Sequence, residues 1–125
     1  MTASHGTDSS VAVFVQDLYF LSRITATASK ADCSVTVVKP GDATPTNVDL
    51  AIVDLQFPGD WEIAVRAIAA AGGSVIAFGP HVDGALLKRA RAAGCTKVMA
   101  KSKFVEVLTT LFTPQAQAAE VDSSS

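Results

Sequence analysis

The sequence predicts one α/β domain in which five parallel strands form a sheet with helices on both sides. Short apolar runs alternate along the chain with longer segments whose apolar residues recur every three or four positions. Unbroken apolar runs are typical of strands buried on both faces, and strands that alternate with helices imply crossover connections. The chain has 125 residues and 49% of them are hydrophobic, which suits a single domain with one well-filled interior.

The predicted strands are the runs at 11–15, 34–38, 49–53, 74–78 and 97–100. They are rich in valine and isoleucine, which favour extended backbone. The third run ends directly before Asp54.

Four helices are predicted from apolar stripes with helical spacing. The stripes are Leu18, Leu21, Ile24 and Ala28; Trp61, Ala64, Val65, Ile68 and Ala69; Leu86, Leu87, Ala90 and Ala93; and Phe104, Val107, Leu108, Leu111 and Phe112. Asp60, Asp83 and Ser102 are candidate N-caps of the last three helices. Gly72-Gly73 and Gly94 are expected to end the second and third helices.

The connection at 39–48 is expected to be a loop. Its sequence, KPGDATPTNV, has two prolines and a glycine and lacks an apolar helical stripe. Since a parallel crossover usually takes a dozen or more residues and a helix, the second helix of the fold is predicted to be shortened or missing.

Composition limits the classes of partner. The net charge is −2, so the chain lacks the basic surface that nucleic acids or membranes would require. The cluster Lys88, Arg89 and Arg91 is interpreted as a solvated helix face. Cys33 and Cys95 do not have the spacing of metal ligands. A cytoplasmic location is the default expectation for a sequence with no signal peptide or membrane span, so both thiols are expected to be reduced.

The domain is expected to cover 11–113. The polar segment 1–10 and the tail 114–125, which is small, acidic and rich in serine, are predicted to be disordered.

Polar residues follow four of the predicted strands. In an open parallel sheet the binding site lies beyond the carboxyl ends of the strands. These ends carry Gln16 and Asp17 on the first strand, Asp54 on the third, Gly79 on the fourth and Lys101 on the fifth. We therefore expect these residues to converge at one edge of the sheet.

Four segments resemble receiver domains of two-component response regulators, which have a CheY-like, flavodoxin-like fold. They are VFVQDLYFLSRI, AIVDLQFPG, AFGPHVD and VMAKSKF, and the resemblance covers about 11–112. It implies a three-layer sandwich with strand order 2-1-3-4-5. It also implies a signalling module that is not an enzyme and whose partner is a histidine kinase, a phosphotransfer protein or another regulator.

The resemblance assigns roles to four residues. Asp54 matches the aspartate that accepts a phosphoryl group. Asp17 matches an acid that holds Mg²⁺ together with Asp54, and Gln56 matches the residue whose backbone carbonyl is a further metal ligand. Lys101 matches the lysine that pairs with the acceptor aspartate and then with the phosphate.

Other positions depart from the family pattern. Gln16 replaces the first acid of the metal-binding pair, so Mg²⁺ is expected to bind only weakly. Gly79 replaces the Ser or Thr whose hydroxyl contacts the phosphoryl group, and Val98 replaces the switch aromatic. Ser102 replaces the proline after the lysine, so the Lys101–Ser102 peptide bond is expected to be trans.

Alternative roles remain open for these residues. Asp17 is an equally good N-cap for the first helix, Asp54 and Lys101 could form a purely structural pair, and Lys101 could extend to solvent. His81 is interpreted as a surface histidine. Trp61 and Phe104 are interpreted as core anchors, with partner contact as the alternative.

Three functions compete. The favoured one is a stand-alone pseudo-receiver that binds a signalling protein without a working phosphoryl switch. The second is a functional single-domain response regulator phosphorylated on Asp54. The third, a cofactor-binding flavodoxin-like domain, is disfavoured because no glycine-rich phosphate loop follows the first strand. The family resemblance implies that partners dock on the face that carries Lys88, Arg91, Lys97, Lys103 and Glu106, although ordinary solvated charges explain that face equally well.

Overall fold

The computed structural model describes residues 10–79 and 84–111. The elements are β1 (Ser10–Phe14), α1 (Leu18–Lys30), β2 (Ser34–Val37), β3 (Leu50–Asp54), α2 (Trp61–Ala70), β4 (Ser74–Gly79), α3 (Gly84–Ala93), β5 (Lys97–Ala100) and α4 (Lys101–Leu111). The predicted tail, the Asp83 cap, His81 and Phe112 lie outside the described residues, as does the predicted disordered segment except for Ser10. Ser10, the last residue of that segment, begins β1.

The sheet has five strands, all parallel, in the order β2-β1-β3-β4-β5. This confirms the predicted fold class, strand number and strand order. Strand bounds differ from the sequence prediction by about one residue at some ends, which is the usual uncertainty in where an element ends. β1, β3 and β4 form the centre of the sheet, and their apolar residues are almost fully buried.

Helices cover both faces of the sheet. One buried cluster packs under α1 and α4 and includes Ile24, Phe78 and Leu108. The other packs under α2 and α3 and includes Val65 and Ile68. Alternate residues of each strand point to opposite faces, so every central strand contributes to both clusters.

Three phenylalanines anchor the layer formed by α1 and α4. Phe78 of β4 and Phe104 of α4 stack with their ring centroids 4.4 Å apart. The Phe20 ring of α1 lies 5.3 Å from Phe78 and 5.9 Å from Phe104. Phe104 is therefore a core anchor, as predicted, and so is Trp61, which is buried at the start of α2.

Helix starts and ends agree with the sequence prediction at several positions. Asp60 accepts a hydrogen bond from the Ile63 N–H, which confirms it as the N-cap of α2. Gly94 ends α3 with φ of +118°, and a Cβ at that position would lie 2.8 Å from the Ala69 Cβ. Only glycine allows α3 to end this close to α2.

Two sequence expectations for the helices were wrong. Ser102 does not cap α4, because the helix begins one residue earlier, at Lys101, directly after β5. Leu18 does not belong to the buried stripe of α1: its side chain is 80% exposed, and Phe20 takes the buried position in the first turn. With Asp17 as its N-cap, α1 is rotated about its axis so that Phe20, Ile24 and Ala28 face the core. Leu18 therefore faces solvent.

The connection between β2 and β3 contains no helix, as predicted. Its two ends are fixed by Val38, whose N–H donates to the Val13 carbonyl, and by Asp49, whose N–H donates to the Ser10 carbonyl. Val38 is buried in the cluster under α2 and α3, and Val48 packs against that cluster. The loop thus covers the sheet with two apolar side chains, whereas a helix would cover it with an entire apolar face.

The cysteines Cys33 and Cys95 are both free thiols in this structure. Burial raises the pKa of the Cys95 thiol to about 11, so this thiol is protonated at neutral pH.

Replacing Phe104 with alanine tests the aromatic anchor. We expect Phe104→Ala to lower the free energy of unfolding by about 3–5 kcal/mol, because it removes a fully buried ring that contacts two others. Chemical denaturation followed by circular dichroism measures this change. Leu18→Ala is the control, with an expected change within about 0.5 kcal/mol because that side chain is exposed. Similar losses in the two variants would contradict this packing.

Candidate functional site

The residues expected at the carboxyl edge of the sheet do lie there. Phe14 of β1 is in register with Val53 of β3, so Gln16 and Asp17 follow at the same edge as Asp54. Asp54 is in register with Phe78, and Gly79 of β4 with Ala100 of β5. Lys101 follows directly after Ala100. The sheet therefore brings two carboxylates and one ammonium group to one edge.

Asp17 caps α1. Its Oδ1 accepts hydrogen bonds from the N–H groups of Tyr19, at 2.9 Å, and Phe20, at 3.2 Å. Its other oxygen, Oδ2, lies 3.7 Å from the Lys101 Nζ. The N-cap role left open by the sequence is thus confirmed, and both carboxylate oxygens have partners within the protein.

Lys101 is held between α1 and α4. Its Nζ lies 4.6 Å from the centroid of the Phe20 ring as well as 3.7 Å from Asp17. An ammonium group over an aromatic face gains electrostatic attraction from the ring. The ion pair that Lys101 forms is with Asp17, and not with Asp54 as the family pattern implied. The Phe20 ring and the Asp17 carboxylate both lie beside the ammonium group at the start of α1.

Asp54 is half-buried at the last position of β3. Its Oδ1 accepts a hydrogen bond of 2.9 Å from the Gln56 N–H. Burial raises the pKa of the Asp54 carboxyl above its ordinary value; the Gln56 hydrogen bond and the positive charge of Lys101 oppose this effect, and the negative charge of Asp17 adds to it. Asp17 and Lys101 are thus close enough to Asp54 for their charges to affect the pKa of its carboxyl group.

The loop after Asp54 is firmly packed. The Leu55 N–H donates to the Phe78 carbonyl, and the Phe57 N–H donates to the Asp54 carbonyl. The Phe57 ring contacts the Phe14 ring edge to face, with centroids 5.7 Å apart. Gln56 is exposed between these two anchors. The backbone hydrogen bonds of Leu55 and Phe57 therefore fix the chain at Asp54 and, with it, the position of the carboxyl group.

The positions that depart from the family pattern have distinct surroundings. Gln16 is exposed beside Asp17. Gly79 is buried at the end of β4, where it has no hydroxyl to offer. Val98 is partly buried and packs against the cluster under α2 and α3. The peptide bonds of the described residues are all trans, which agrees with the expectation for Lys101–Ser102.

The donors at this edge are a poor set for a divalent cation. Within residues 10–79 and 84–111, no three His, Cys, Asp or Glu side chains come together in a group that could hold a metal ion. Asp17 already bonds two N–H groups and lies against Lys101, so a cation would have to compete with an ammonium group for it. Mg²⁺ prefers several oxygen ligands with nearly ideal octahedral geometry. We therefore derive no chemical step that depends on a metal here.

Sequence reasoning missed one member of the site, Phe20. It lies in the segment that resembles the family, but the stripe predicted for α1 contains Leu18 instead. The signal was available, because Phe20 and Ile24 are four residues apart and form a stripe with Ala28. With Asp17 taken as the N-cap, the sequence would have predicted that Phe20, and not Leu18, faces the core.

No protein-family model and no curated protein matches this sequence. Solved structures do match. A response regulator from Burkholderia pseudomallei aligns with a TM-score of 0.69 and 18% identity over 94% of this chain and 72% of its own; that protein carries a phosphorylated aspartic acid and a calcium ion. A CheY-like receiver domain protein from Methanospirillum hungatei aligns with a TM-score of 0.68 and 14% identity over 88% of this chain and 98% of its own.

A third match is the HemR receiver domain from Leptospira biflexa, with a TM-score of 0.66 and 14% identity over 84% of this chain and 94% of its own. None of the helices in the described part of the chain is long and apolar enough to cross a membrane. The strand order, the helices on both faces and these alignments agree, and the chain has the fold of CheY-like response-regulator receiver domains.

Proposed function

We propose that this chain is a pseudo-receiver of two-component signal transduction, which acts by binding another signalling protein and whose phosphoryl switch is impaired. The fold supports a role in such a pathway. The single observation that carries the impairment is the position of Lys101, whose ammonium group is held by Asp17 and the Phe20 ring. A lysine in that position gives Asp54 only part of the positive charge that a phosphoryl group would need.

Phosphorylation of Asp54 would require its ionised carboxylate to attack phosphorus while the leaving group of the donor departs. The negative charge of the phosphoryl oxygens must be balanced during that step. Here the available charge is Lys101, which Asp17 already neutralises in part, and the exposed Gln16 adds an amide oxygen without charge. We expect slow phosphorylation and weak Mg²⁺ binding by Asp17, Asp54 and the backbone carbonyl of Gln56.

Readout of a phosphoryl group would be impaired as well. Gly79 offers no hydroxyl to bind the group, and Val98 is an aliphatic side chain packed against the core cluster under α2 and α3. Without a hydroxyl that moves and an aromatic ring that follows it, a phosphoryl group on Asp54 would have little effect on the outer surface. The partner would therefore recognise one conformation of the protein.

The second candidate is a functional single-domain response regulator phosphorylated on Asp54 by a histidine kinase or phosphotransfer protein. It is favoured by the convergence of Asp17, Asp54 and Lys101 at one edge, and by a carboxyl group on Asp54 that is only half-buried. In either case the expected partner is a signalling protein and the chain itself is not an enzyme.

Phosphorylation by a small donor separates these candidates. We expect the protein incubated with acetyl phosphate and Mg²⁺ to gain one phosphoryl group on only a minor fraction of molecules by intact mass spectrometry. Asp54→Asn is the control that removes the acceptor. Rapid, nearly complete conversion of the natural protein that is abolished in Asp54→Asn would contradict the pseudo-receiver proposal and support the alternative.

Restoring an acid beside Asp17 tests the metal site. We expect Gln16→Asp to tighten Mg²⁺ binding by at least about fivefold, since one added charge at about 4 Å is worth about 1 kcal/mol even in water. Gln16 is exposed, so the substitution has no burial cost. Calorimetric titration measures the affinity. Asn47→Asp is the control and should leave the affinity unchanged, because this exposed residue precedes β3 at the opposite edge of the sheet. Tight Mg²⁺ binding by the natural protein would contradict the proposed weak site.

The raised pKa of Asp54 predicts a pH-dependent stability. Between the ordinary value of 3.8 and the raised native pKa, the folded protein binds more protons than the unfolded chain, so stability falls as the pH rises through this range. Asp54→Asn removes the ionised group and keeps an oxygen to accept the Gln56 N–H. We expect this variant to have a higher unfolding temperature than the natural protein at pH 7, with the difference shrinking below about pH 4.

Thermal unfolding at a series of pH values measures the effect. Asp49→Asn is the control, because Asp49 is an exposed carboxylate that also accepts one backbone N–H, from Ser10. A lower unfolding temperature for Asp54→Asn than for the natural protein at pH 7 would contradict the burial of this carboxylate.

A further inference from the structure

β2 is an open edge of the sheet. Among the described elements it pairs with β1 alone, and α1 packs against one of its faces. The Val38 N–H donates to the Val13 carbonyl, so residues at even positions here direct their backbone groups towards β1. Because this direction alternates along a strand, the N–H and C=O groups of Val35 and Val37 point away from the sheet.

Apart from its short length, this edge lacks the features that usually keep an edge strand from pairing. β2 has the sequence SVTV, with no charge and no proline, and its regular register with β1 shows no bulge. β5 at the opposite edge has Lys97, an exposed charged residue. Short length, charged residues, prolines and bulges are common protections of edge strands. β2 has only the first of these four, so its unpaired backbone groups can serve as a template for another strand.

The missing crossover helix leaves space beside β2. A right-handed crossover from β2 to β3 would place a helix on the face covered by α2 and α3. Instead the loop at 38–49 makes this connection, and the Thr36 side chain, which points to that face, is exposed. On the other face the Val37 side chain is 38% exposed. Both faces of the edge thus present side chains that a second strand could cover.

We propose that two copies of this chain pair through their β2 strands, antiparallel and related by a two-fold axis centred on Thr36, to form one continuous sheet of ten strands. A two-fold axis through an antiparallel pair must place a residue opposite its own copy. Centring on Thr36 sets Val35 of each copy opposite Val37 of the other, so the outward backbone groups of both residues are bonded in both copies. Centring on Val35 or Val37 would bond fewer of the outward groups within the strand.

Side chains and charges agree with this arrangement. Val37 packs against Val35 of the second copy, which covers the exposed valine, and the two Thr36 side chains lie side by side, a favourable cross-strand pair. Asp32 precedes the strand and Lys39 follows it, and both are exposed. Antiparallel pairing brings the Lys39 end of one copy to the Asp32 end of the other, whereas parallel pairing would bring like charges together.

The interface is small, because each copy contributes a strand of four residues. Interfaces well below about 1,200 Å² form weak complexes, so we expect a dissociation constant in about the micromolar range or above. The dimer leaves the carboxyl edge of the sheet free, since pairing uses the lateral edge of β2.

Sedimentation of the full chain at increasing concentration tests the dimer. We expect the mass to rise from the monomer value of 12.9 kDa towards twice that value. Thr36→Lys sets two like charges opposite each other at the axis and should weaken association at least about tenfold. Thr46→Lys makes the same change in an exposed loop residue and should leave it within about twofold. A natural protein that stays monomeric, or equal effects of the two variants, would overturn the proposal.

A disulfide trap tests the register and does not depend on the lysine variants. Residues opposite each other in a non-hydrogen-bonded antiparallel pair have Cα atoms about 4.5 Å apart, which suits a disulfide. In a Cys33→Ser background, Thr36→Cys should form a covalent dimer under mild oxidation much faster than Thr46→Cys. Equal rates of dimer formation would overturn the register centred on Thr36.

Discussion

Parallel strands can be joined only by crossovers, and the crossovers of this protein position all of its candidate functional residues. Helices make three of them, α1 between β1 and β2, α2 between β3 and β4, and α3 between β4 and β5. Because every strand runs in the same direction, Asp17, Asp54 and Lys101 come to one edge although they are far apart in sequence. The remaining crossover is the loop at 38–49, which leaves β2 less covered than the other strands.

At that edge one ammonium group faces two carboxylates. Asp17 Oδ2 lies 3.7 Å from the Lys101 Nζ while Oδ1 caps α1, and the same Nζ lies 4.6 Å from the centroid of the Phe20 ring. Asp54 is left with a hydrogen bond from the Gln56 N–H and with burial that disfavours its charge. The same residues that suggest phosphorylation chemistry thus make a stable network without it, because each group already has a partner.

The sequence was sufficient to predict the strands, their order, the loop that replaces a helix and the residues at the carboxyl edge. The strands and the loop follow from local patterns of apolar and loop-forming residues. The strand order follows from the family resemblance. The partner of Lys101 could not be predicted in this way, and the rotation of α1 was predicted wrongly although Phe20, Ile24 and Ala28 also have helical spacing. Leu18 fits the helical stripe by spacing alone, and only the cap by Asp17 and the packing of Phe20 against Phe78 and Phe104 decide which residue is buried. Ser102 suits an N-cap by type, but α4 begins at once after β5.

The chemical shift of the Lys101 side-chain protons shows most directly whether its ammonium group lies beside Asp17 and over the Phe20 ring. Protons next to an ammonium group held over an aromatic ring are shifted upfield by the ring current. We predict an upfield shift of the Lys101 Hε protons that is lost in Phe20→Leu and is unchanged when Mg²⁺ and beryllium fluoride are added to the natural protein. Ordinary Hε shifts in the natural protein, or a large movement of these signals on addition of beryllium fluoride, would contradict this position of Lys101 beside Asp17 and Phe20.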